Sequence, residues 1–152
     1  MNTLGLRASP TEVTFCVYSS EDSKILNVEE IKIPNALGMP EKLKYLRSTA
    51  LDVLREYQID NAGIRLTEHS ARSPSFDRIQ IEGVLQEAFA SSMLKNYYYG
   101  ALVTIASKLN TDRTTLSNLI KQDEEYDAID NWSVYSEKER EAILVAIGAC
   151  NV

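Results

Sequence analysis

Apolar and polar residues alternate through the first third of the chain, and then the period changes. Residues 3–8 form a short apolar run closed by the turn signal Ser9-Pro10. Residues 12–19 read Glu-Val-Thr-Phe-Cys-Val-Tyr-Ser, rich in the β-branched and aromatic side chains that suit a pleated surface. After a polar turn over 20–23, residues 25–33 set Ile31 and Ile33 against Glu30 and Lys32 with a period of two. Connections this short join antiparallel neighbours, so a meander of three strands is predicted.

Between Pro34 and Gly38 the alternation stops. Pro40 suits a first helical turn, and Leu43, Leu46, Ala50, Val53, Leu54 and Tyr57 then recur at helical spacing. The predicted helix over 40–57 is amphipathic, with its charges on the outer face. Asp60-Asn61 reads as a loop and 62–67 as a short apolar strand. A strand reached through a helix implies a parallel crossover back into the sheet.

A polar loop over 69–75 leads to a second predicted helix, 76–93. Its small residues Gly83, Ala88 and Ala90 predict close approach to the sheet. Gly83 costs about 1 kcal/mol relative to Ala in a helix interior, so a packing reason is expected for it. Residues 96–101, with Tyr97, Tyr98 and Tyr99, read as a fifth strand, and 102–109 as a helix or an extension of that strand. Asp112 is a good N-cap for a helix through about 122. An acidic connection over 123–133 precedes Ser136-Glu137-Lys138-Glu139, a capping box. The last helix runs to about 149, with Ala142, Val145, Ala146 and Ala149 on one face.

Composition narrows the picture. A chain of 152 residues with 44% hydrophobic residues is long enough for a proper core, and one domain spanning 1–152 is expected. The net charge of -6, without a basic run, disfavours unspecific nucleic-acid binding, which needs clustered Lys and Arg. Cys16 and Cys150 lie far apart in apolar runs and fit buried thiols better than a disulfide or a zinc site. The first residues lack a secretory pattern, and no apolar run approaches the ~20 residues that cross a bilayer. A soluble, cytoplasmic protein is expected.

The order β-β-β-α-β-α-β-α with a closing alanine-rich helix resembles the ribonuclease H-like fold, and within it the RuvC-type Holliday-junction resolvases. Leu4-Gly5-Leu6-Arg7-Ala8-Ser9 resembles the opening strand, which in that family reads apolar-Gly-apolar-Asp. Ile64-Arg65-Leu66-Thr67-Glu68 resembles the fourth strand with its terminal acid. Gln80-Ile81-Glu82-Gly83-Val84-Leu85 resembles the glycine-containing helix, and Glu141-Ala142-Ile143-Leu144-Val145-Ala146 the last helix. The fold this implies is α/β, a five-stranded mixed sheet with three antiparallel N-terminal strands and flanking helices.

Such nucleases hold paired Mg²⁺ or Mn²⁺ ions with four acidic residues. Two hard cations about 4 Å apart need several carboxylates to offset their charge and fix the attacking and leaving oxygens. Here Glu68 and Glu141 match two of the four positions, Arg7 stands at the central aspartate, and Lys138 falls on the fourth, with Glu137 one residue away. The resemblance therefore implies a degenerate site in a protein that acts by binding or assembly, without a cofactor. Arg7 is expected to pair with Glu68 or Glu141. The alternative is an active metal nuclease, using Mg²⁺ or Mn²⁺ on structured DNA or RNA, with a rearranged set drawn from Glu68, Glu82, Glu137 and Glu141.

Other residues carry less. Arg65, His69, Arg72 and Arg78 gather positive charge at the exit of the fourth strand and, with Arg7, are the candidate binding residues. Glu68 and Asp77 lie among them, as on an ordinary mixed-sign surface. His69 follows Glu68 directly, but no nucleophile or orienting partner stands beside it. The three tyrosines could stack bases, a role that needs more nearby cations than Lys95; packing in the core or at an interface fits better. No nucleophile elbow, phosphate loop, zinc spacing or calcium loop occurs. The partners that remain are another protein or a second copy, with structured nucleic acid as an alternative and no membrane.

Overall fold

The computed structural model describes residues 1–152. Its sheet is built from β1 (Asn2–Ala8), β2 (Glu12–Ser19), β3 (Lys24–Lys32), β4 (Ile59–Arg65) and β5 (Asn96–Gly100), in the order β3-β2-β1-β4-β5. The first three strands form the expected antiparallel meander, and β4 and β5 join it in parallel. The helices are α1 (Met39–Glu56), α2 (Phe76–Ala90), α3 (Leu102–Lys108), α4 (Arg113–Lys121) and α5 (Glu137–Gly148). The sheet is the five-stranded mixed one that the resemblance implied. No helix is long and apolar enough to cross a membrane.

The strand period sorts side chains into two cores. On one face Leu4, Leu6, Ala8, Val13, Phe15, Val17, Ala62 and Ile64 pack against α1 and α2, through Leu46, Ala50, Ile81, Leu85 and Phe89. On the other face Cys16, Tyr18 and Tyr98 pack under α3, α4 and α5, with Ile105, Leu116, Ile143 and Val145. Trp132, in a short 3-10 turn before α5, is fully buried here and donates its indole N–H to the Leu119 carbonyl at 2.8 Å.

Local signals set most boundaries. Pro40 sits in the first turn of α1, Asp112 caps α4 by accepting from the Thr115 amide, and Ser136 with Glu139 closes the capping box of α5. Four expectations fail. Asp60 and Asn61 belong to β4 and are not a loop: Asn61 pairs with Thr3 of β1 and Asn96 of β5, which overrides its weak strand propensity, and Asp60 lies at the register shift beside β1. β4 correspondingly ends at Arg65, so Glu68 lies in the connection beyond it. α2 ends at Ala90, three residues early, where Ser92 accepts the Leu94 amide in a turn. Gly83 has no packing reason either: it is exposed, and a Cβ built there meets nothing within 4 Å.

Gly5 is the glycine that carries the close approach. A Cβ there would lie 2.1 Å from the Ala142 carbonyl oxygen and 2.4 Å from the Ala146 nitrogen. Only a residue without a side chain lets α5 lie this close to β1.

Candidate functional site: an arginine and glutamate cluster under the last helix

β1 and β4 run side by side in register, Thr3 beside Asn61, Gly5 beside Gly63 and Arg7 beside Arg65. The two strands thus repeat one pattern, a polar residue, a glycine and an arginine at alternate positions, and all six positions lie on the face toward α5. The polar members bind the end of the helix. The Thr3 hydroxyl donates to the Ala146 carbonyl at 2.7 Å, Asn61 Nδ2 to the Ala149 carbonyl at 3.0 Å, and Tyr98 Oη from β5 to the Val145 carbonyl at 2.9 Å. These carbonyls are among those a helix terminus leaves without partners.

The arginines bind the start of the helix. Glu141 stands between them: its Oε2 accepts from Arg7 Nε at 2.6 Å and its Oε1 from Arg65 Nε at 3.3 Å. Of the two pairs expected for Arg7, this is the one to Glu141. Two guanidinium groups on adjacent strands repel, and a carboxylate shared between them removes that repulsion. Arg7 also donates to the Ala8 carbonyl at 2.9 Å and Arg65 to the Leu66 carbonyl, so both heads are held by the backbone as well.

Two more carboxylates complete the cluster. Glu68 Oε1 lies 3.5 Å from Arg65 Nη2 and accepts the Leu102 amide at 3.1 Å, joining β4 to the start of α3. Glu82, buried on α2, accepts the Thr67 amide at 3.1 Å and the Thr67 hydroxyl at 2.8 Å. Arg78, one turn before it, brings Nε to 2.9 Å from Glu82 Oε2, but at an angle that makes this a charge contact and not a hydrogen bond. Burial pushes the Arg78 pKa down, the positive charges of Arg7 and Arg65 add to this, and Glu82 and Glu141 oppose it. Arg7, Arg65 and Arg78 are thus balanced by Glu68, Glu82 and Glu141.

The other candidates lie elsewhere. His69 and Arg72 are exposed on the loop after β4 and join no ion pair of the cluster. Glu137 is exposed on the first turn of α5. Lys138 turns to β2 and forms a separate pair with Glu12 at 2.6 Å, which holds the Glu12 carboxyl down to about 2, with help from Thr11 and Ser9. Beside the cluster, at the C-terminal ends of β4 and β5, a cleft of about 740 Å³ opens between α2 and α3; Leu66, Glu68, His69, Ile79, Tyr99 and Val103 line it. Sequence reasoning missed the hooks Thr3, Asn61 and Tyr98. The signal was present as the shared spacing of residues 3, 5 and 7 with 61, 63 and 65, but only the pairing of the two strands gives that spacing meaning.

The structures most informative for comparison are Thermus thermophilus RuvC and its complex with a Holliday junction substrate. RuvC alone superposes with a TM-score of 0.69 at 13% identity, over 97% of this chain and 92% of that one. The complex gives 0.70 at the same identity and coverage. The chain has the RuvC-type ribonuclease H-like fold. The yeast mitochondrial Holliday junction resolvase Ydc2 agrees, with a TM-score of 0.60 at 14% identity over 98% of this chain and 78% of that one. No protein-family model and no curated protein matches the chain by sequence.

The RuvC-like fold makes paired divalent cations the group to test against these residues, and the donor set does not fit them. Each carboxylate of the cluster already faces a guanidinium. A hard dication seeks oxygen ligands and would meet three fixed positive charges instead.

Proposed function

We propose that this RuvC-fold protein does not cut nucleic acid and acts by binding or assembly. The observation that carries the reading is Glu141 bridging Arg7 and Arg65, with both carboxylate oxygens engaged by guanidinium groups. A nuclease of this type needs free carboxylate oxygens for its ions, because the ions stabilise both the attacking and the leaving oxygen. Arg7 supplies positive charge to the centre without an open coordination position, so it can hold α5 to the sheet but cannot activate a water.

The test is incubation with a four-way DNA junction and with an RNA–DNA hybrid in Mg²⁺ or Mn²⁺, alongside calorimetric titration of each cation. The expected result is intact substrate and no cation binding by the folded protein. Metal-dependent cleavage that disappears in Glu68→Gln would overturn the reading. It would favour the alternative, a nuclease with a rearranged set among Glu68, Glu82, Glu137 and Glu141.

Binding of structured nucleic acid without cleavage is a second reading. It is favoured by similarity over 97% of the chain to a protein held in complex with a Holliday junction. The net charge of -6 weighs against it, as does the pairing of Arg7, Arg65 and Arg78 with carboxylates, since phosphate contacts need cations free to replace counterions. A junction affinity that falls steeply with salt would support this reading, and no binding at low salt would remove it.

A further inference from the structure

At the β3 edge of the sheet, α1 leaves part of the face uncovered. A groove of about 480 Å³ runs between the strand and the helix. Its floor is apolar and buried: Phe15 of β2, Ile31 of β3 and Val53 of α1. Tyr45, Thr49, Val53 and Glu56 follow one another at helical spacing along its α1 wall. At 1.5 Å per residue this wall is about 16 Å long, the span of about five extended residues.

The rim is acidic. Glu29 and Glu30 on the strand and Glu56 on the helix are exposed along it, against Lys32 as the one cation among the lining residues. Every ion pair of the molecule lies elsewhere, and none takes any of these three carboxylates. One end of the groove is fixed by hydrogen bonds. Asn27 Nδ2 donates to Glu29 Oε2 at 2.9 Å and to Tyr57 Oη at 2.8 Å, which ties β3 to the residue that ends α1, next to Glu56. Glu29, Glu56 and the Tyr57 ring thus share that end, and Tyr45, 38% exposed, stands at the other.

Carboxylates beside aromatic rings over an apolar floor are the complement of a cation with a flat, weakly hydrated head. A guanidinium binds carboxylates through two parallel N–H donors and stacks on an aromatic face, whereas an ammonium keeps its water more tightly. The length of the groove suits a run of extended chain, and the net charge of -6 favours a basic one. We propose that the groove between α1 and β3 holds an extended, arginine-bearing segment of a partner protein. One guanidinium sits between Glu29 and Glu56 against Tyr57, and the residues beside it cover Phe15, Ile31 and Val53. The inference rests on the assembly part of the reading above and uses no residue of the Arg7 centre.

The test is titration of the whole chain with the peptide Ala-Arg-Ala-Arg-Ala, blocked at both ends, followed by amide chemical shifts. Saturable shifts confined to residues 27–32 and 45–57 are expected. The double variant Glu29→Gln with Glu56→Gln should bind about tenfold more weakly; both residues are exposed and unpaired, so the fold is not at stake. Glu124→Gln with Glu125→Gln, exposed in the acidic connection before α5, should change the affinity by less than about twofold. The same peptide with lysines in place of its arginines should bind about threefold more weakly. Shifts spread over all acidic surfaces overturn the inference, as do equal losses in the two double variants, equal binding of the lysine peptide, or no binding at low salt. A protein that binds no peptide and cuts no junction would sink this inference alone, and one that binds the peptide in the groove and cuts junctions would sink the non-cutting reading alone.

Discussion

On the face covered by α1 and α2, β1 and β4 present Leu4, Leu6, Ala8, Ala62 and Ile64; on the face covered by α5, the same strands present Thr3, Gly5, Arg7, Asn61, Gly63 and Arg65. The first face is held chiefly by apolar burial. The second is held by directional contacts, three hydrogen bonds to the last carbonyls of α5 and a carboxylate shared by two arginines. Gly5 removes the side-chain spacer between β1 and α5, and polar groups on β1, β4 and β5 hold the helix there. The difference teaches how the two faces divide the work: one builds the domain, and the other builds a charged centre of paired arginines and glutamates.

The largest blow to this contrast is Glu141→Ala. It leaves Arg7 and Arg65 adjacent and mostly buried without the carboxylate between them, and should lower the unfolding free energy by about 3–5 kcal/mol in a denaturant titration. A loss under about 1 kcal/mol would mean that the cluster is effectively solvated. The triple change Arg7→Met, Arg65→Met and Glu141→Leu sharpens the point: replacing this buried triad by apolar groups should cost less in the same titration than Glu141→Ala alone.

Next comes Gly5→Ala. Its methyl would meet backbone atoms of α5 and not a flexible side chain, so α5 must move away. A destabilisation of about 3 kcal/mol is expected, in the upper range for overpacking. Thermal melts that match wild type would show that α5 is not locked to β1.

Gly83→Ala probes the opposite side of the molecule with the opposite sign. The residue is helical, exposed and free of neighbours, so alanine should stabilise by about 0.5–1 kcal/mol, and chemical denaturation reads it directly. A loss of stability would point to an unseen packing role for the α2 surface.

The smallest effect concerns the Glu12–Lys138 pair at the margin of the charged face. The folded Glu12 carboxyl is depressed from 4.5 to about 2, chiefly by Lys138. Its contribution is therefore complete above about pH 4.5 and is lost as pH falls toward 2. Wild type and Lys138→Met should differ in stability at neutral pH and converge between pH 4.5 and 2. A gap that persists at pH 2 would show that Lys138 acts through packing and not through this pair.

The sequence carried much of this in local form. Strand alternation, Pro40, Asp112 and the Ser136 box placed the elements and their order, because short-range sterics and capping decide them within a few residues. The boundary of β4 was not legible: Asp60 and Asn61 are poor strand formers, and the pairing of Asn61 with both neighbouring strands outweighs that preference. Gly83 and Gly5 show the same limit from the other side. Both are glycines within regular elements, and only the tertiary distances separate one that is bare from one that touches a helix backbone.

For the candidate site, the sequence already contains the residue types: Arg7 in place of a carboxylate, with Glu68 and Glu141 downstream. What the tertiary structure decided was their grouping. Arg65 and Arg78 leave the proposed surface patch for the interior, His69 and Arg72 stay outside, and Glu141 comes to rest between Arg7 and Arg65. The physical reason is that charge character is a property of a residue, whereas neutralisation is a property of distances. Those distances exist only once β1 and β4 have paired in register and α5 has settled against Gly5.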